Sequence, residues 1–160
     1  MRLAAKPWTD AFEKLRQDRD ALYAEFLTRE PLVIDGVREV LDALKGKYVM
    51  AIVTSSGHEH FEIIHRSSDL LPYFQFVLTM KDCPQTKPHP GPYLKAIELS
   101  GFSPYECLVI EDSPRGLAAA MSAGLRCMVI PSKFTRGHNF AGAYKILDSI
   151  KDLPAVLKEL

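Results

Sequence analysis

The sequence is short of several things, and each shortage excludes a class of protein. It has no charge surplus: 20 Lys and Arg balance 20 Asp and Glu across 160 residues. Nothing is left over to meet a phosphate backbone or an anionic bilayer, so neither nucleic acid nor a membrane is an expected partner. No apolar run approaches the roughly 18–20 residues needed to cross a membrane. Cysteine is scarce, with only Cys83, Cys107 and Cys127. Their odd number and spacing suit neither a zinc site nor a disulfide framework. Cys107 and Cys127 lie in apolar runs and read as core residues. A reducing, cytoplasmic setting follows as the default expectation. The opening stretch MRLAAKPWTD carries charge but no apolar segment of the signal-peptide kind. Internal repeats, low-complexity segments and long Gly/Ser linkers are also missing.

What remains is the make-up of a globular domain: 47% hydrophobic and 25% charged residues, enough chain to bury a core without staples. The spacing of Phe12, Leu15, Leu22 and Phe26 among charges predicts a helix over 10–29, which Pro31 ends or follows. Val37, Val40, Leu41 and Leu44 mark a second helix, stopped by Lys45 and Gly46. The run YVMAIVTSS (48–56) is apolar throughout, as in strands buried on both faces of a parallel sheet. A helix over 59–66, a strand FQFVLTM (74–80), a helix over 90–99 and a strand CLVIED (107–112) follow. Ser113 and Pro114 have the residue types of an N-cap and first helical position, opening a helix that ends at Gly124. CMVIPS (127–132) is a fourth strand, and short helices close the chain. Alternating strands and helices predict an α/β domain with a parallel sheet and helices on both faces.

Ligands in such sheets bind at the carboxyl ends of the strands. There the sequence places Thr54, Ser55 and Ser56 after the first strand, Lys87 in the segment after the second, and Glu111 with Asp112 after the third. Hydroxyls and a lysine donate to anionic oxygens and suit a phosphate. Adjacent carboxylates suit a hard cation such as Mg²⁺. Singly, each has a plainer reading. Thr54 is a strand-end residue, Lys87 a solvated charge, and Glu111 with Asp112 an acidic pair favoured at a helix start. Together, in order and each at a strand end, they point to a site.

The stretches AIVTSS, TKPHPGPYLKA and VIEDSPRGLAAAMSAG resemble motifs II, III and IV of the haloacid dehalogenase superfamily, in its phosphatase and phosphomutase branch with a helical cap. The resemblance implies a three-layer α/β/α Rossmann-like core over residues 31–160, preceded by a remnant of the cap over 1–30. It implies a Mg²⁺-dependent phosphatase acting on a small phosphorylated metabolite, a phosphomonoester, through an aspartyl-phosphate. Thr54 and Lys87 would be the catalytic groups, Thr54, Ser55 and Lys87 the phosphate-binding ones, and Asp112 with Glu111 the metal ligands. Ser113 would support their loop.

Motif I, a strand followed by Asp-x-Asp-Gly-Thr, is not in the sequence. Asp35-Gly36 follows apolar residues but lacks the second aspartate and the threonine, and is not read as the nucleophile. In relatives motif I precedes the cap, so the resemblance implies a chain beginning inside the cap and a sheet without its central strand. Mg²⁺ binding is then expected to be weak and turnover small. The alternative is a non-catalytic phosphate-binding or assembly module. The two open sheet edges are expected either to close on each other or to be covered by another chain, a second copy or a partner.

Overall fold

A computed structural model describes residues 10–29, 32–66 and 68–160. Residues 1–9 and Glu30 of the expected cap remnant, and Pro31 and Ser67, lie outside the described residues. Helix α1 runs Asp10–Arg29 and α2 runs Val37–Leu44. Strand β1 (Ala51–Val53) leads into α3 (His58–His65), and β2 (Phe76–Leu78) into α4 (Gly91–Ser100). Strand β3 (Leu108–Glu111) leads into α5 (Pro114–Ser122), followed by β4 (Arg126–Val129), β5 (Lys145–Ile146) and α6 (Leu153–Leu157).

All pairing is parallel, but it falls into two sheets: β1 with β2, and β3–β4–β5. The strands are shorter than the apolar runs that announce them. The run over 48–56 forms a ladder only at Ala51–Val53, with single backbone hydrogen bonds just beyond it, from the Gln75 N–H to the Met50 carbonyl and from the Thr54 N–H to the Leu78 carbonyl. Strand β5, only two residues long, has no period-2 pattern long enough to be read from sequence.

Two cores hold the domain. One gathers Leu117, Ala119 and Ala120 of α5 with Tyr93 of α4, Val109 of β3 and Cys127 and Val129 of β4, and Val53 of β1 packs against it. The other joins Val40 and Leu44 of α2 to Met128, Leu147 and Leu153, with Met50 and Leu108 alongside. The two sheets therefore share the same helical layers above and below. This is the expected three-layer α/β/α core, with the edges of β1 and β3 left unpaired with each other.

Helix α1 has its expected bounds, but the Leu15, Leu22 and Phe26 stripe is exposed, and Leu27 is the residue it buries. Tyr23 and His60 pack edge-on at 4.8 Å between ring centres, joining α1 to α3.

Candidate functional site

Apolar β3 delivers Glu111 to its carboxyl end, and Ser113 then turns the chain into α5. The Ser113 side chain accepts the Gly116 N–H at 3.1 Å, capping the helix, and Pro114 takes the first helical position. Gly116 is forced by the neighbourhood. A Cβ there would overlap the Glu111 carboxylate, which lies against the first turn of α5.

Glu111 is buried, and a carboxylate in that position needs partners. It has four donors. Lys87 Nζ and Tyr93 OH both donate to Oε1; Ser113 Oγ donates to Oε2 at 3.2 Å and the Asp112 N–H at 3.3 Å. Tyr93 stands in α4 with its hydroxyl buried. Burial first, and the Glu111 charge second, push its pKa well above the ordinary value, so it stays a neutral donor.

Lys87 reaches Glu111 from the loop after β2. Its ammonium also donates to the Val53 carbonyl, at the end of β1, at 2.8 Å. The side chains of Lys87 and Glu111 are only 12% and 6% exposed, so this is an interior ion pair rather than a solvated one. The loop is pinned from outside by Arg115 of α5, whose guanidinium donates twice to the Lys87 carbonyl, Nε at 3.2 Å. The Lys87–Pro88 peptide is cis.

Thr54 follows Val53 directly. Its N–H donates to the Leu78 carbonyl at 2.8 Å, and its Oγ1 accepts the Ser56 N–H at 3.1 Å, which leaves the hydroxyl proton to be given elsewhere. Ser55 is exposed at the same tip. Asp112 is exposed, and among the described residues no side chain donates to its carboxylate. Desolvation first, and the adjacent Glu111 charge second, raise its pKa above 3.8. Thr135 Oγ1 donates to the Asp112 carbonyl at 2.6 Å and fixes that backbone from the loop after β4.

The oxygen donors suit a hard cation in a particular way. Asp112 presents a carboxylate whose charge is disfavoured where it stands, which a cation would relieve. Glu111 is already engaged by Lys87, Tyr93 and Ser113. Among the described residues no third His, Cys, Asp or Glu joins them. One or two carboxylates completed by water and phosphate is the usual habit of Mg²⁺, so the donor set fits that ion.

Of the residues singled out from sequence, Lys87 and Glu111 are in direct contact, Asp112 adjoins Glu111, and Thr54 adjoins the carbonyl that Lys87 holds. Asp35 stands elsewhere, bound to Lys151 at 2.6 Å, and that ammonium keeps its carboxyl below the ordinary range. Sequence reasoning missed Tyr93, Arg115 and Thr135. Tyr93 was the findable one, an aromatic hydroxyl in the first turn of the helix that follows Lys87.

Residues 3–130 match the family described as haloacid dehalogenase-like hydrolase. CbbY of Rhodobacter capsulatus is 30% identical over 146 residues, covering 88% of this chain and 64% of its own length. Pyrophosphatase PpaX of Bacillus cereus (strain AH820) is 31% identical over 128 residues, covering 78% of this chain and 59% of its own length. The chain thus spans somewhat under two thirds of these relatives. Among solved structures, a mutant CbbY from Rhodobacter sphaeroides in complex with xylulose-(1,5)bisphosphate aligns with a TM-score of 0.78 at 25% identity, covering 95% of this chain and 70% of that one. Among the described residues no helix is long and apolar enough to cross a membrane. The family match over most of the sequence, the relatives and the shared α/β core agree: the chain belongs to the haloacid dehalogenase-like hydrolase family.

Proposed function

We propose that these strand ends serve a Mg²⁺-dependent phosphatase acting on a small phosphomonoester. The observation that carries the reading is Lys87, which ties the end of β1 to the end of β3. An ammonium has three N–H groups. Val53 and Glu111 use two, and the third is left for an anionic oxygen beside the Thr54 hydroxyl. Thr54, Ser55 and Lys87 hold the phosphoryl group; Thr54 and Lys87 are the two that act on it in the reaction. Asp112, with Glu111 behind it, holds Mg²⁺, which when bound neutralises phosphoryl charge. Relatives support the substrate class: PpaX is named a pyrophosphatase, and the Rhodobacter sphaeroides CbbY structure holds a sugar bisphosphate.

The covalent step of this chemistry needs an aspartate nucleophile, and Asp-x-Asp-Gly-Thr is not among these 160 residues. The chain by itself is therefore proposed to bind phosphate with little turnover. The missing nucleophile also favours a second reading, a phosphate-binding module without catalysis. Calorimetry with orthophosphate tests the shared part: binding tightens with Mg²⁺ and weakens at least tenfold in Lys87→Met. Absence of saturable binding overturns both readings. Hydrolysis of p-nitrophenyl phosphate with Mg²⁺, lost in Asp112→Asn, decides for the enzyme and against the module.

A further inference from the structure

We propose that Thr135, in the loop after β4, is a positioning residue for Asp112. Its hydroxyl fixes the peptide from which the Asp112 carboxylate is presented, and so sets how tightly that carboxylate holds a divalent cation. The inference rests on the reading of Asp112 as the Mg²⁺ ligand. It adds a residue that lies outside the three strand ends from which the site is built.

A ligating side chain is ordinarily oriented by hydrogen-bonded partners around it. The Asp112 carboxylate has no such side chain among the described residues. Its orientation must come from its backbone, to which an aspartate carboxylate is joined by a short, staggered side chain. That backbone is tied on both sides. Before Asp112, the Glu111 carbonyl accepts the Ile130 N–H at 2.7 Å, and the Asp112 N–H reaches Glu111 Oε2 at a long 3.3 Å. After it, the Asp112 carbonyl accepts Thr135 Oγ1 at 2.6 Å, the short end of the hydroxyl range. The last bond fixes the peptide plane between Asp112 and Ser113, where the chain turns into α5.

The Thr135 hydroxyl is itself held in one orientation. Oγ1 accepts the Ser132 N–H at 2.9 Å and lies 3.0 Å from Ser132 Oγ. A carbonyl can only accept, so the single Thr135 proton goes to Asp112. The Ser132 hydroxyl is then the donor to Oγ1, and the two hydroxyls form a chain aimed at one carbonyl, each bond polarising the next. The plainer reading is that Thr135 only closes its own turn. The backbone already does that. The Thr135 and Arg136 N–H groups both donate to the Ser132 carbonyl, at 3.1 and 3.0 Å, and the His138 N–H donates to the Thr135 carbonyl at 2.9 Å. The bond to Asp112 adds nothing to the turn; it joins the turn to the site.

The probe is Mn²⁺, which takes the same oxygen ligands as Mg²⁺ and broadens the amide signals near it. It is titrated into the ¹⁵N-labelled 160-residue chain as the parent, Thr135→Val and Thr135→Ser. In the parent, the Asp112 and Ser113 amides are expected to broaden first. Thr135→Val keeps the shape of the side chain without the hydroxyl, and should bind Mn²⁺ about tenfold more weakly, the low end for loss of an orienting partner. Thr135→Ser restores the hydroxyl and should bind Mn²⁺ as the parent does. Calorimetry with orthophosphate and no metal should give the same affinity in all three, because Lys87 and Thr54 hold the phosphoryl group. The inference is overturned by Thr135→Val binding Mn²⁺ as tightly as the parent, or by a loss that Thr135→Ser does not recover. An equal loss of orthophosphate binding also overturns it, since the site has then merely loosened. Each of these leaves Asp112 as the metal ligand. Mn²⁺ that leaves Asp112 unbroadened in the parent instead overturns the metal site, and this inference with it.

Discussion

Lys87→Met removes the cation from a buried carboxylate, and its cost can be worked from the contacts. Glu111 keeps Tyr93, Ser113 and the Asp112 N–H, but loses the charge that balances its own. Breaking a buried ion pair costs about 3–5 kcal/mol. The three remaining donors place this case at the low end, about 3 kcal/mol. For a chain of this size each kcal/mol moves the thermal midpoint by roughly 2–4 °C, so a fall of about 6–12 °C is expected. Glu111→Gln costs less, about 1–2 kcal/mol, because the amide oxygen still accepts from Tyr93 and the lysine keeps Val53. The double variant has no unpaired interior charge. It should lie above the sum of the single losses by about 1.5–3 kcal/mol of coupling. Thermal unfolding followed by circular dichroism at pH 7 reads all four corners of the cycle. Losses that simply add, or a Lys87→Met midpoint within about 2 °C of the parent, would refute the interior pairing.

Other perturbations follow from neighbouring contacts. Asp112 has a folded pKa raised above 3.8, so its charged form penalises the fold at neutral pH. Asp112→Asn should raise the midpoint slightly at pH 7; the gain shrinks as pH falls through the raised pKa and is gone below 3.8, which denaturation curves across pH will check. Gly116→Ala drives a methyl group into the Glu111 carboxylate and should cost about 1–3 kcal/mol in chemical denaturation. Ser113→Ala removes the α5 cap and one Glu111 donor together, and should cost about 1–2 kcal/mol by the same measurement. Burial pushes the Cys127 thiol up to about 12, so it should resist a thiol reagent at pH 8 until the chain unfolds.

The sequence disclosed most where one physical rule acted alone. Ser113 and Pro114 announced α5 to the residue, because capping is a local matter of one hydroxyl and one fixed dihedral. Gly124 marked a helix end, and it adopts a positive φ of 74°. The site was legible for a similar reason: polar residues ending apolar strands have few other reasons to be there. Strand lengths were not legible, since an apolar run records burial and only a neighbouring strand makes it a ladder. The stripe of α1 announced the helix but not its exposure, as a 3.6-residue period says that a face is apolar and not what covers it. Tyr93 and Thr135 escaped because they reach the site from α4 and the loop after β4, contacts that exist only in three dimensions.

The central claim is that Lys87 ties the ends of β1 and β3 into one phosphate and Mg²⁺ site. A crystal structure of the chain soaked with phosphate and Mg²⁺ tests it most directly. The account predicts a phosphate oxygen within hydrogen-bond distance of both Lys87 Nζ and Thr54 Oγ1, with the metal on the Asp112 carboxylate. Phosphate bound away from Lys87, or a metal that leaves Asp112 untouched, would contradict it.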